Sequence, residues 1–461
     1  MQLKMQLTRI QIIILLLFSW YSIGTIDYRF LLCILAITIV TFVLGIFMDN
    51  SQKQKIRKSV CAIGCLIAIL MLCYFKYSNF FLSSLSSIFQ KSYTTLNIIL
   101  PVGISFYTFT VIAYLCDVYR NKYAAEKNFI DFALYITFFT KLTAGPIVRG
   151  KEFLPQIKEY RGIRWNEVLV GIQIFVFGLF KKIVLADRLG VFVNDVFYAP
   201  AAYHSLSVIL AVISYSLQIY FDFAGYSDMA IGLSKILGFE FSRNFNLPYL
   251  AKNVSEFWKR WHISLSSWFQ EYLYYPLGGN RKGTARTYVN LILVMLVSGL
   301  WHGAGITFIL WGFCYGLASC IHKIWRTYIS GKGETKEKSR SWAMFSDVVK
   351  VILNFSLVSL LWIIFRANSF QTAWKVIKGM FSWQDGILQM YTWSFFAIVC
   401  LIVASVVAIV RAKKHGENYV DGFYPVLNLK KFIPLVIFFT FTGLTIILGY
   451  FGNNAFIYGK F

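Results

Sequence analysis

The sequence predicts an all-α, multi-pass membrane protein with about eleven transmembrane helices and two re-entrant or interfacial segments. Three observations carry this. The chain is 57% hydrophobic and 14% charged, whereas soluble domains average about 45–50% apolar and about 25% charged residues. Apolar runs long enough to cross a hydrocarbon core of about 30 Å as helices recur along nearly the whole length. The net charge of +24 is gathered in short loops between those runs, which is the pattern of membrane topology and not of nucleic-acid binding.

The spans fall near residues 10–24, 29–48, 59–80, 97–118, 166–187, 206–235, 287–304, 305–322, 347–366, 391–411 and 432–452. Lys4 and Arg9 precede the first run, but no small-residue cleavage site follows it, so it reads as an uncleaved span. Basic loops at Lys53–Lys58, Arg120–Lys127, Lys332–Arg340 and Arg411–Lys431 are assigned to the cytoplasm. The N-terminus is then cytoplasmic, the C-terminus external, and residues 83–96 and the stretch after Arg366 lie outside. Segments 129–148 and 241–282 do not fit as crossings, the first because basic loops flank it on both sides and the second because it is too polar. Both are expected to be re-entrant or interfacial, with protein or a water-filled cavity satisfying their backbone. The eight cysteines show no C-x-x-C pairing and read as small packing residues, and nothing in the sequence calls for a metal.

Residues 255–281, "SEFWKRWHISLSSWFQEYLYYPLGGNR", concentrate polarity unusually for this chain. Asn253 and Glu256 have capping-box spacing and Pro276 marks a stop, predicting one helix of about six turns. Phe257, Trp258, Trp261, Leu265, Trp268, Phe269 and Tyr272 share one face; Glu256, Lys259, Arg260, Ser264, Ser267 and Glu271 share the other. Such a helix lies at the interface among lipid headgroups or faces a protein cavity, a choice that His262, at the border of the aromatic face, leaves open.

In "VSGLWHGAGITFILWG", residues 297–312, His302 lies about 20 Å along a span that begins near Val289. A titratable group at that depth faces a bundle interior or a cavity. It is a catalytic candidate or an interhelical hydrogen-bonding group. Gly299, Gly303 and Gly305 beside it admit either another helix or a ligand. Upstream, Ser214, Gln218 and Asp222 share a helix face, with Asp228 and Lys235 beyond, either as a polar seam between helices or as channel lining.

"YFDFAGYSDMAIGLSKILGFEF", "RNFNLPYLAKNVSEFWKRWHISLSSWFQEYLYYPLGGNR" and "VSGLWHGAGITFILWG" resemble the membrane-bound O-acyltransferase superfamily, in its bacterial branch of alginate and peptidoglycan O-acetyltransferase membrane subunits. "LPVGISFYTFTVIAYLCDVYR" and "FFTKLTAGPIVRGKEFLPQI" fit it too. The resemblance covers about residue 95 to the end, leaving residues 1–94 as N-terminal transmembrane helices of one integral membrane domain. It implies a bundle around a central funnel, with His302 required for acyl transfer and His262 as the family's second histidine. The polar helix then lines a cytoplasmic mouth. Lys259, Arg260 and Arg281 are expected to bind the donor's phosphates, and Gln218, Asp222, Asp228 and Trp301 to line the channel.

The expected substrate is cytosolic acetyl-CoA, with no bound cofactor. The expected acceptor is an extracytoplasmic polysaccharide or peptidoglycan, reached through a separate extracytoplasmic acetyltransferase partner. The expected location is the bacterial cytoplasmic membrane, among its lipids. A transporter or flippase for a polar polymer or lipid is the alternative, but such proteins commonly show two related halves, and none is evident here. A non-enzymatic scaffold would leave His302 unexplained. The tail "NNAFIYGKF" ends in an aromatic motif similar to one at family C-termini, with Gly459 and Lys460 replacing two of its residues. Tyr458 there is either an interfacial anchor or an acyl relay near His302.

Overall fold

A computed structural model describes residues 2–91, 94–143, 145–160, 162–329, 340–415 and 427–452. Every expected span coincides with a helix. Among the described residues, eight helices are long and apolar enough to cross a membrane, and Thr8–Gly24, Ile104–Tyr119 and Phe432–Leu448 are shorter apolar helices. By compactness the chain forms two units, Met1–Ile172 with Ala230–Ser242, and Gln173–Met229 with Arg243–Phe461.

In the first unit, α1 (Gln2–Gly24), α2 (Tyr28–Asn50), α3 (Gln54–Phe89) and α4 (Ile104–Tyr119) follow in order. The stretch from residue 83, placed outside, is helical as far as Phe89, where hydroxyls of Ser83, Ser84 and Ser87 bond carbonyls three or four residues back instead of favouring a turn. The fourth expected span starts later than its apolar run, at Ile104. Pro101 precedes it, and Gly103 has φ of 76° with its missing Cβ only 2.3 Å from the Leu142 carbonyl oxygen, so only glycine fits there. Arg57, expected in a free loop, is buried, where it donates to the Met48 and Val118 carbonyls and ties down the ends of α2 and α4.

The expected re-entrant segment is α5 (Phe129–Thr137) and α6 (Phe139–Leu142), broken at Phe138 and followed by α7 (Gly150–Lys158). No piece is long enough to cross. Phe132, Tyr135, Phe138, Phe153 and Phe239 hold it in an aromatic cluster.

In the second unit, α8 (Trp165–Leu179) enters from the first, passes through a π-helical segment, Phe180–Ala186, and continues as α9 (Asp187–Tyr198). Next comes α10 (Ser205–Ile236), then α11 (Val254–Arg260) and α12 (Ile263–Phe269), followed by a π-helical turn, Gln270–Tyr274. The single six-turn helix expected from Asn253 to Pro276 is therefore corrected to two short helices with a break at Trp261 and His262. The expected cap is present, with Asn253 Oδ1 accepting from Glu256 N, and Glu256 pairs with Arg260 one turn on at 2.8 Å. Of the seven residues assigned to the aromatic face, Phe257, Trp261, Leu265, Trp268, Phe269 and Tyr272 are buried, and Trp258 is half-buried and lines a cavity.

α13 (Thr284–His302) and α14 (Ile306–Ile324) form a tight hairpin. A Cβ on Gly299 would lie 2.2 Å from the Phe308 carbonyl oxygen, and one on Gly312 would lie 2.3 Å from that of Met295. These glycines admit a helix, which resolves for Gly299 the choice between helix and ligand. α15 (Arg340–Arg366), α16 (Phe370–Phe381), α17 (Thr392–His415) and α18 (Phe432–Leu448) complete the unit. α16 has no counterpart among the expected elements because its amphipathic sequence is too short and too charged to register as a span.

Candidate active site

His262 has φ of 43° and ψ of 56°, the left-handed region that a branched or bulky side chain enters at a cost of about 1–3 kcal/mol. Asn244 holds it there. Its main-chain oxygen accepts from Ile263 N at 2.9 Å, and its Oδ1 accepts from Ser264 N at 3.1 Å and from Ser264 Oγ at 2.9 Å. The same Oδ1 lies 3.1 Å from His262 Nδ1. An atom that accepts from an amide must be oxygen, so the amide orientation follows, and His262 is a donor at Nδ1. In the neutral ring Nε2 then carries the lone pair. Full burial pushes the imidazole down to about 3, so it is neutral at physiological pH. Phe223 packs edge-on against it, with centroids 4.6 Å apart.

His302 is the last residue of α13 and 3% exposed. Trp311 of α14 and Phe365 of α15 meet it edge-on at 5.2 and 5.3 Å. Trp301 contacts both imidazoles, with centroids 4.9 Å from His302 and 6.2 Å from His262. Two histidines 40 positions apart in sequence thus share one aromatic nest, and protein rather than lipid encloses it.

Neither histidine lines the cavity of about 570 Å³ in this unit, but Trp258 does, and its ring lies 6.0 Å from that of Trp311, which packs on His302. Ile263, next to His262, lines the cavity, as does Ser298, one turn before His302. It extends beside α13 past Leu291, about 10 Å at ~1.5 Å per residue, to a cationic region at Lys323 and Arg326, and Lys259 and His322 are also in its lining. Lys323 Nζ donates to Asn280 Oδ1 at 2.8 Å. Of the three expected donor-binding cations, only Lys259 lines this cavity. Arg260 is engaged by Glu256 and the Asn246 carbonyl oxygen, and Arg281 is exposed elsewhere. Sequence reasoning passed over Lys323, Arg326 and His322, which looked like the ordinary basic end of a span. It also passed over Asn244, for which nothing in local spacing signals a bond to residue 262.

Asp222 and Asp228 lie in ion pairs. The π-helical segment turns two successive lysines toward α10, with Lys181 Nζ 2.6 Å from Asp228 Oδ2 and Lys182 Nζ 2.6 Å from Asp222 Oδ1. Lys182 also meets Asp187 at 2.7 Å. Close approach is possible because Gly178 and Gly225 face one another, each missing Cβ 2.6 Å from the other's carbonyl oxygen. These contacts form the polar seam between helices. Gln218 lies on α10, partly buried, and Tyr458 falls outside the described residues.

The sequence pattern of the membrane-bound O-acyltransferase family matches residues 15–365. The peptidoglycan O-acetyltransferase of Helicobacter pylori is 34% identical over 380 residues, 77% of this chain and 70% of that protein. The probable alginate O-acetylase of Pseudomonas aeruginosa is 36% identical over 398 residues, 85% and 73%. The teichoic acid D-alanyltransferase of Bacillus subtilis is 28% identical over 376 residues, 78% and 89%. This multi-pass membrane chain belongs to the membrane-bound O-acyltransferase family and is an acyltransferase.

Proposed function

We propose that the protein takes an acetyl group from cytosolic acetyl-CoA and passes it across the bacterial cytoplasmic membrane for O-acetylation of an extracytoplasmic polysaccharide or wall polymer. The supporting observation is a cavity with a cationic end whose lining reaches Ile263 and Ser298 beside the paired histidines. Cations suit the phosphates of a coenzyme A thioester. The names of two relatives specify acetyl transfer to peptidoglycan and to alginate, and a third specifies a teichoic acid, which together support an exported or wall polymer as acceptor.

In this reading His302 takes the proton from a hydroxyl as its oxygen bonds to the thioester carbonyl carbon. The tetrahedral intermediate collapses, the carbon–sulfur bond breaks, and the imidazolium returns the proton to the leaving thiolate. A positioned base contributes about 10²–10⁴ in rate. His262, neutral and fixed by Asn244, presents Nε2 as an acceptor and positions donor or hydroxyl. A separate extracytoplasmic transferase completes delivery to the polymer.

The test uses membranes containing wild-type or His302→Ala protein at equal levels, supplied with labelled acetyl-CoA. Label in polymer should fall by at least about 10². Near-normal labelling would remove His302 from the chemistry, and labelling that needs a donor other than acetyl-CoA would replace the donor.

A further inference from the structure

Outside the candidate active site, three thiols converge in the first unit. Cys61 and Cys65 are one turn apart on α3, and Cys116 lies near the end of α4. Their sulfur atoms all lie within 4.8 Å of one another, with Cys65 Sγ and Cys116 Sγ 4.0 Å apart. Cys61 is 8% exposed and the other two are half-buried. The convergence depends on Gly64, between the two α3 cysteines. Its missing Cβ would lie 2.6 Å from Leu115 Cδ1, so α3 passes close to the turn that carries Cys116, and a larger residue would require the Leu115 side chain to shift. The sequence, with no C-x-x-C pairing, reads these cysteines as packing residues; the contact joins positions 51 apart.

The triangle has the dimensions of a coordination plane. Three sulfurs with edges of 4.0 Å stand about 2.3 Å from their common centre, the length of a thiolate–metal bond. The remaining sulfur–sulfur distances are within 4.8 Å. Among the described residues no His, Asp or Glu joins the group as a fourth ligand. That disfavours zinc, which is almost always four-coordinate in structural sites, and favours a soft ion that thiolates select. Arg120 and Lys122 act electrostatically on Cys116 and offset the negative charge of a trithiolate complex.

We propose that Cys61, Cys65 and Cys116 form a three-coordinate site for copper(I) that ties α3 to α4. On binding, each thiol releases its proton to solvent and its sulfur donates an electron pair to the ion, with no change of oxidation state.

The test titrates the full-length protein, purified in detergent under reducing conditions, with copper(I) in competition with bicinchoninate. One tightly held ion per chain is expected. Cys61→Ser, Cys65→Ser and Cys116→Ser should each lose it, whereas Cys73→Ser, on the same helix, should keep it. In the wild-type protein, where variant folding is not at issue, copper(I) should slow maleimide labelling of the three thiols relative to Cys33 and Cys314. No stoichiometric binding, binding that survives all three substitutions, or equal protection of every thiol would overturn the proposal.

Discussion

Gly299→Ala tests whether the α13–α14 hairpin sets the position of His302. The added Cβ would sit 2.2 Å from the Phe308 carbonyl oxygen, a backbone atom that cannot rotate away. Regaining an ordinary contact of 3.4 Å needs a displacement of about 1.2 Å between the two helices. Overpacking of this kind costs about 1–3 kcal/mol, which a membrane bundle survives, so the protein should still accumulate in the membrane. Trp301 and His302 lie within the next turn of the same helix and move with it. A misplacement near 1 Å costs on the order of 10² in rate, so acetyl transfer should fall by about that factor at equal protein level. Gly305→Ala is the matched control, because its Cβ meets Phe308 at an ordinary 3.5 Å and its φ of −162° is open to any residue. The assay is labelled acetyl transfer in membranes, normalised to protein by immunoblot. Activity of Gly299→Ala within about threefold of wild type would refute the argument that helix separation at this glycine governs the site.

Lys323→Gln with Arg326→Gln should raise KM for acetyl-CoA by about tenfold or more and leave kcat nearly unchanged, since each removes a charge-assisted contact to the donor; an unchanged KM and salt dependence would place the donor elsewhere. His262 is neutral when folded, with its pKa depressed to about 3, so between that pH and about 6.5 the unfolded chain binds more protons and stability rises with pH. Between pH 7 and pH 5 this group alone should cost the wild type about 2 kcal/mol, a loss absent from His262→Gln; identical thermal melting differences for the two proteins would contradict the buried, neutral assignment. Tyr458→Phe should leave membrane levels intact but abolish transfer to polymer if the tail relays the acyl group. Normal polymer acetylation by that variant would leave only the anchoring role.

The parts of the fold legible in the sequence are those that solvent imposes locally. An apolar run in lipid has no alternative to a helix that satisfies its own backbone, so the expected spans coincide with helices α1 to α4, α8, α10, α13 to α15, α17 and α18. The buried face from Phe257 to Tyr272 was legible for a related reason. Side chains three and four apart share a side whether or not the helix is continuous, and the sorting survived the break at His262. The Asn253 cap and the Glu256–Arg260 pair were legible because both partners lie within one turn.

By itself, then, the sequence determined the membrane class, the placement of the spans and the two histidines as the groups to watch. Tertiary structure decided how those groups meet. A left-handed residue at His262 costs energy in any isolated peptide, so it becomes visible only when Asn244, 18 positions earlier, bonds the turn in place. The pairing of Lys181 with Asp228 and of Lys182 with Asp222 likewise joins residues 40 or more positions apart, across a π-helical segment that no local spacing announces. The same holds for Gly299, whose missing side chain means nothing until Phe308 stands opposite it. Local periodicity records how each segment meets its solvent, whereas distances between segments depend on contacts whose partners are tens or hundreds of residues apart.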